Sequence, residues 1–128
     1  MSLYFAHAMP IYRTHEEKEQ LSRIGRRFLD EDIINPAAYS NHPEKRRDTM
    51  AFCYKLIDGC EILVFSRWRG MITSGVGQEV NYALEHGKKV FELVSGRFMQ
   101  ITKPVTHLSF EETVRLYYGD RFNSQSSL

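Results

Sequence analysis

The feature that most restricts this chain is the alternation of short apolar runs with segments of helical period. Four runs read as strands: Ser2–His7, Asp32–Asn35 (stopped by Pro36), Glu61–Ser66 and Lys89–Val94. Between them lie segments whose apolar residues recur every three or four positions. Thr14-His15-Glu16-Glu17 reads as a capping box, with Leu21, Ile24 and Phe28 repeating behind it. Glu44 to Asp58 predicts one mainly apolar helix ended by Gly59, and Ser74 to Glu85 a helix closed by Gly87. Ser109-Phe110-Glu111-Glu112 is a second capping box, opening a helix to Tyr118 that should stop at Gly119. Residues 36–43 and 67–73 read as loops, and 95–104 as either loop or edge strand. Strands joined by helices through short loops build a parallel sheet covered on both faces. In such sheets ligands sit beyond the carboxyl ends of the strands, which singles out loops 8–13, 66–75 and 95–100.

Composition narrows the functional classes. With 128 residues the chain suits one domain, placed at 1–122 with a polar tail at 123–128. Such a length needs no metal or disulfide staple. The 17 Lys+Arg against 16 Asp+Glu leave a net charge of +1, and neither half segregates charge, which argues against a nucleic-acid polymer as partner. The longest apolar runs, such as Ile62-Leu63-Val64-Phe65, fall far short of the roughly 20 residues a membrane helix needs. No basic segment precedes an apolar one at the N-terminus, and Cys53 and Cys60 make neither a disulfide framework nor a zinc site. The expectation is a cytoplasmic domain with no membrane partner and no metal.

The strongest local signal is Ser74-Gly75-Val76-Gly77-Gln78-Glu79. Gly75 and Gly77 at a helix start leave amides uncovered and admit close approach of a ligand. Glu79, read as lying in the first turn, would be held ionised by the helix dipole and serve as nucleophile or general base. Equally, the glycines can serve helix–sheet packing and Glu79 capping. Tyr4 in the first strand can orient a carboxylate or sit as a core aromatic. His7, Met9, Tyr12 and Arg13 line the first loop, where Arg13 can grip an anion. His7 has no second ligand at metal spacing. Trp68 and Arg69 can stack a base and attract phosphate, or anchor a loop. Lys45-Arg46-Arg47, at the start of a predicted helix, reads as a solvated face or a phosphate contact. Met9, Met50, Met71 and Met99 read as packing.

Taken together, Leu3-Tyr4-Phe5-Ala6-His7-Ala8-Met9, the strand Glu61–Ser66, Gly75-Val76-Gly77-Gln78-Glu79-Val80-Asn81-Tyr82-Ala83 and Gly87-Lys88-Lys89-Val90 resemble the nucleoside 2-deoxyribosyltransferase superfamily. The GVGxE form is most similar to its 2′-deoxynucleoside 5′-phosphate N-hydrolase branch. The resemblance spans about residues 2–94. It implies a flavodoxin-like or Rossmann-like α/β three-layer sandwich with a mainly parallel sheet of four to five strands. It also implies cleavage of the base–sugar bond of a nucleoside or nucleotide without a cofactor. Glu79 falls on the family's nucleophile and Tyr4 on the tyrosine that hydrogen-bonds it. Thr73, with Ser74 beside it, stands where relatives hold the 5′-phosphate with serine. Asp48 is the nearest match to a helper carboxylate on the preceding helix, and Ser95-Gly96-Arg97 resembles a phosphate-contacting segment supplied across a dimer interface. The family pattern and the small size imply at least a homodimer. Deoxyribosyl transfer between bases and noncatalytic nucleotide sensing are the alternatives. Departures from the pattern, including Ala8-Met9-Pro10 in place of a glycine-rich turn, bear on which base and sugar are taken.

Overall fold

The computed structural model describes residues 1–126. Five strands, β1 (Ser2–Ala6), β2 (Asp32–Ile34), β3 (Ile62–Phe65), β4 (Lys89–Val94) and β5 (Arg97–Ile101), form one sheet in the order β2-β1-β3-β4-β5. β1 to β4 are parallel, and β5 runs antiparallel to β4. The helices are α1 (His15–Arg27), α2 (Pro43–Arg47), α3 (Thr49–Asp58), α4 (Ser74–Glu85) and α5 (Phe110–Ser126), with short 3-10 turns at Met9–Ile11 and Pro36–Tyr39. The fold is α/β, with helices on a five-strand, mostly parallel sheet of flavodoxin-like order.

The alternation of side chains along the strands sorts the core into two layers. Tyr4, Ala6, Leu63 and Phe65 pack with Cys53 and Ile57 of α3 and with Val76, Val80 and Ala83 of α4. Leu3, Phe5 and Val64 pack on the opposite face with Ile24 of α1. Leu3, Tyr4, Phe5 and Ala6 are fully buried, so β1 has no solvated side, as expected of a central parallel strand. Burying each large apolar side chain is worth about 1.5–3 kcal/mol. Strand β1 therefore delivers consecutive residues to opposite faces, which decides where Tyr4 and His7 act.

Local chemistry explains the segments that differ from expectation. The helix expected over 44–58 breaks at Asp48, whose backbone is extended (φ −148°, ψ 94°) and whose carboxylate caps the Ala51 amide at 3.1 Å. The stretch 95–104 contains β5. Ser95 (φ 51°) and Gly96 (φ 74°) make the two-residue, positive-φ turn that matches strand twist in a hairpin. Arg69 (φ 51°) and Gly70 (φ 75°) make a similar turn, closed by reciprocal amide–carbonyl bonds of 3.0 Å between Trp68 and Met71.

The second capping box closes as drawn: Glu112 accepts from the Ser109 amide at 3.0 Å, while Ser109 Oγ accepts from the Glu112 amide at 3.1 Å. The first closes on one side. Thr14 Oγ1 accepts from the Glu17 amide at 3.3 Å, but the Glu17 carboxylate turns inward. The first helical stretch of α5 ends at Tyr118, as expected, where the backbone leaves helical geometry (φ −122°, ψ 18°); beyond that kink a second stretch runs to Ser126 through the first part of the expected tail. Residues 127–128 lie outside the described residues. Met9, Met71 and Met99 are 59%, 40% and 57% exposed, so these methionines are not core packing. No helix among the described residues is long and apolar enough to cross a membrane.

Candidate active site

Tyr4 and Glu79 meet at the carboxyl end of the sheet, where β1 turns toward β2 on one side and β3 pairs on the other. This is the point at which strand order reverses, and open α/β sheets leave a crevice there. The Tyr4 hydroxyl donates to Glu79 Oε2 through a short hydrogen bond. Tyr4 is fully buried and Glu79 is 7% exposed. The pairing needs both periods to agree: residue 4 faces α4 by strand alternation, and residue 79 faces β1 by helical spacing from the buried Val76 and Val80.

Glu79 lies in the second turn of α4, whose first turn holds no acidic residue, so the expected placement at the dipole's positive end is corrected. Its electrostatics differ accordingly. Burial pushes the Glu79 carboxyl up to about 7, and the Tyr4 hydroxyl, the Cys53 thiol and the charge of Lys45 oppose the rise. The carboxyl thus exchanges its proton near neutrality rather than being permanently ionised. Its neighbours do not. Tyr4 is raised well above the ordinary phenol value by burial and then by Glu79, so it remains a donor. Burial also raises Tyr12, and it pushes the Cys53 thiol up to about 11, which keeps Cys53 out of the thiolate form.

The N-terminus of α4 holds the two glycines for different reasons. A Cβ on Gly77 would lie 2.2 Å from the His107 ring, so Gly77 is required by packing of the strap before α5. A Cβ on Gly75 would meet nothing within 4 Å. The Ser74 amide donates to Thr113 Oγ1 at 2.9 Å and the Gly77 amide to the Thr73 carbonyl at 2.9 Å. Among the described residues, the Gly75 and Val76 amides have no acceptor. Ser74 Oγ accepts from Gln78 Nε2 at 2.9 Å, and the buried Thr73 hydroxyl is hydrogen-bonded with Tyr117. Two free amides at a helix start, beside an open Gly75, can receive an anionic group.

The remaining candidates divide. His7 faces α1, stacks on Phe5 and is bonded at both ring nitrogens: Nδ1 with the Phe5 carbonyl at 3.0 Å and Nε2 with Glu17 Oε2 at 2.7 Å. Its pKa is lowered by burial despite Glu17. Tyr12 packs against the His7 ring, while exposed Arg13 ties the first loop to the Ala37 carbonyl at 3.2 Å. Trp68 packs edge-on to Tyr117, with the Arg69 guanidinium 4.5 Å from its ring centroid. Asp48 is exposed and engaged as a cap, so it does not stand beside Glu79. Ser95 and Arg97 are exposed on the hairpin of β4 and β5, where the Gly96 Cβ position lies 2.9 Å from Arg23 Nη1 of α1. The structure does not bring them to Glu79 within one chain.

Other residues stand close to the pair or to the start of α4. Cys53 sits in the core layer with Tyr4, and Thr113 and Tyr117 of α5 reach the N-terminus of α4. Lys45, read as part of a solvated face or a phosphate contact, is 7% exposed, which excludes the solvated face, and lies in the last turn of the short α2, where the dipole favours a cation. The signal for Lys45 was its place between Pro43 and a helix-capping Asp48, which confines α2 to five residues. Among the described residues no group of three or more His, Cys, Asp or Glu is arranged to hold a metal, and both cysteines are free. Compared with protein-family models, with curated proteins and with solved structures, the chain has no significant match.

Proposed function

We propose that the chain is an N-glycosidase that cleaves the base–sugar bond of a nucleoside 5′-monophosphate, with Glu79 as nucleophile. The observation that carries this reading is the buried Glu79 carboxyl, held by the Tyr4 hydroxyl and titrating near 7 beside the strand at which the order of the α/β sheet reverses. The resemblance of the Gly75–Ala83 segment to deoxyribosyltransferase-like enzymes points the same way.

In the proposed reaction ionised Glu79 attacks the anomeric carbon. The carbon–nitrogen bond breaks, and the base leaves with the bonding pair and takes a proton from water. The resulting glycosyl ester is opened by a second water at the same carbon, which returns the carboxylate and gives the sugar 5-phosphate. Two displacements at one centre retain configuration, as in carboxylate-based glycoside hydrolysis. Tyr4 orients the carboxyl by donating to Oε2, with the Cys53 thiol as its second partner, and Oε1 makes the attack. The Gly75 and Val76 amides receive the phosphate.

The test is release of free base from a panel of ribo- and deoxynucleoside 5′-monophosphates. The wild-type chain should release base from at least one of them, and Glu79→Ala should slow that release by at least about 10³-fold. Equal release by the variant, or saturable binding with no product over hours, removes the N-glycosidase reading. Acceleration by an added second base redirects it to transfer.

A further inference from the structure

Lys45 is a cation to which the mechanism above gives no contact with the substrate, although its charge lowers the Glu79 pKa. Its side chain is buried to 7% exposure, and its Nζ donates to the Pro36 carbonyl at 2.8 Å. It lies 5.5 Å from the centroid of the Tyr12 ring. Among the described residues it pairs with no carboxylate. Lysine carries three donors and no acceptor, so one carbonyl leaves most of its hydrogen-bonding capacity unused. Placing such a donor out of water is costly unless its hydrogen bonds are made, and an acceptor on a ligand can take those that the Pro36 carbonyl leaves open.

Its place in the fold says what it would meet. Pro36 follows β2, and Tyr12 lies in the loop after β1, so the Lys45 Nζ stands at the carboxyl end of the sheet on its β2 side. The open Gly75 and Val76 amides follow β3, on the other side of β1. The Tyr4–Glu79 pair lies between them. A nucleotide lying along that line, with its phosphate on those amides and its anomeric carbon at Glu79, would carry its base to the Lys45 and Tyr12 side. Resting on the reading of the site proposed above, we infer that Lys45 selects the base: it donates to a carbonyl oxygen on the base edge, and so favours 6-oxopurine over 6-aminopurine nucleotides. An exocyclic amine presents donors to a donor-only group and leaves Lys45 without its partner. Sites built to hydrogen-bond a substrate group discriminate strongly against an analogue lacking it.

The experiment compares inosine and adenosine 5′-monophosphates, in the ribo and deoxy series, with wild-type, Lys45→Met and Lys45→Arg chains. Both base release and equilibrium binding by calorimetry are measured. The wild-type chain should prefer the inosine nucleotide by about tenfold to a hundredfold, the range of one hydrogen bond to a charged donor. Lys45→Met should erase that ratio while still taking the adenosine nucleotide, and Lys45→Arg should restore part of it. A merely structural lysine would lower both nucleotides together and leave their ratio unchanged, which overturns the inference. So does a wild-type chain indifferent to the base, or one that binds neither nucleotide. A Lys45-dependent binding preference without base release supports the inference and removes only the N-glycosidase reading. Base release with no Lys45-dependent ratio removes only the inference.

Discussion

Two buried carboxylates lie on opposite faces of β1, each bonded to a residue of that strand or its end, and they are built to opposite purposes. Glu17 and Glu79 are both 7% exposed. Glu17 accepts from the Arg13 amide at 3.2 Å and is bonded to His7 Nε2 at 2.7 Å, so both its oxygens are engaged in fastening the first loop to α1. Glu79 has the Tyr4 hydroxyl on one oxygen, and burial outweighs its partners enough to bring its pKa to about 7. Equal burial therefore does not mean equal chemistry. A carboxylate whose two oxygens take an amide and an imidazole serves as a structural tie, whereas one whose hydroxyl and thiol partners do not offset its burial keeps a proton that exchanges near neutrality.

The pH dependence of stability is where the two should separate most. The Glu79 pKa is raised on folding from 4.5 to about 7, so its contribution is fully present below about 4.5 and is lost as pH rises through 7. The size is about 3 kcal/mol. The His7 pKa is lowered on folding, so its contribution is present above 6.5 and is lost as pH falls through the folded value. Unfolding curves of wild type and Glu79→Gln from pH 4 to 9 should differ in slope between 4.5 and 7, with the wild type losing stability relative to the variant as pH rises. Parallel curves would place Glu79 in solvent contact and break the comparison.

Tyr4→Phe sharpens it on the other side. The Tyr4 hydroxyl lowers the Glu79 pKa, so its loss should raise that pKa further and move the rising limb of base release to higher pH. Below the limb the rate should fall about tenfold to a hundredfold, the range for one hydrogen bond to a charged group. An unchanged limb would show that Tyr4 only packs. The smallest effect belongs to Glu17→Gln, which should cost about 1–2 kcal/mol in denaturant unfolding through the His7 and Arg13 amide bonds. It should leave the pH limb of base release where it was, because Glu17 faces α1 and not Glu79. A shifted limb would mean that the two carboxylates are coupled through β1.

Periodicity made the frame legible. Ser74–Glu85 and Lys89–Val94 stand where the sequence placed them, and strand-and-helix alternation predicts the parallel sheet. The pairing of Tyr4 with Glu79 came from the family resemblance alone, since periodicity leaves Tyr4 equally a core aromatic; the structure supplies the hydrogen bond. What the sequence hid was tertiary. Nothing local tells that Glu17 abandons its capping box for His7, since that choice depends on the loop folding back over α1. The two glycines look alike in sequence, yet only Gly77 lies under His107, a residue brought there by a strap thirty positions on. Lys45 stayed open between a solvated face and a phosphate contact because its short helix is defined by the Asp48 break, and a basic run gives no sign of which member turns inward. Asp48 drew attention as a carboxylate near the right helix, and its capping bond claims it instead.

The central claim is that Glu79 forms a bond to the sugar. Turnover of the preferred nucleoside 5′-monophosphate at pH 8 can be acid-quenched within the first turnovers and the digested chain examined by mass spectrometry. The account predicts that the peptide containing Glu79 gains the mass of the sugar phosphate less water, and that the gain is absent from Glu79→Gln. Rapid base release with that peptide unmodified, or with a product of inverted configuration at the anomeric carbon, would contradict it.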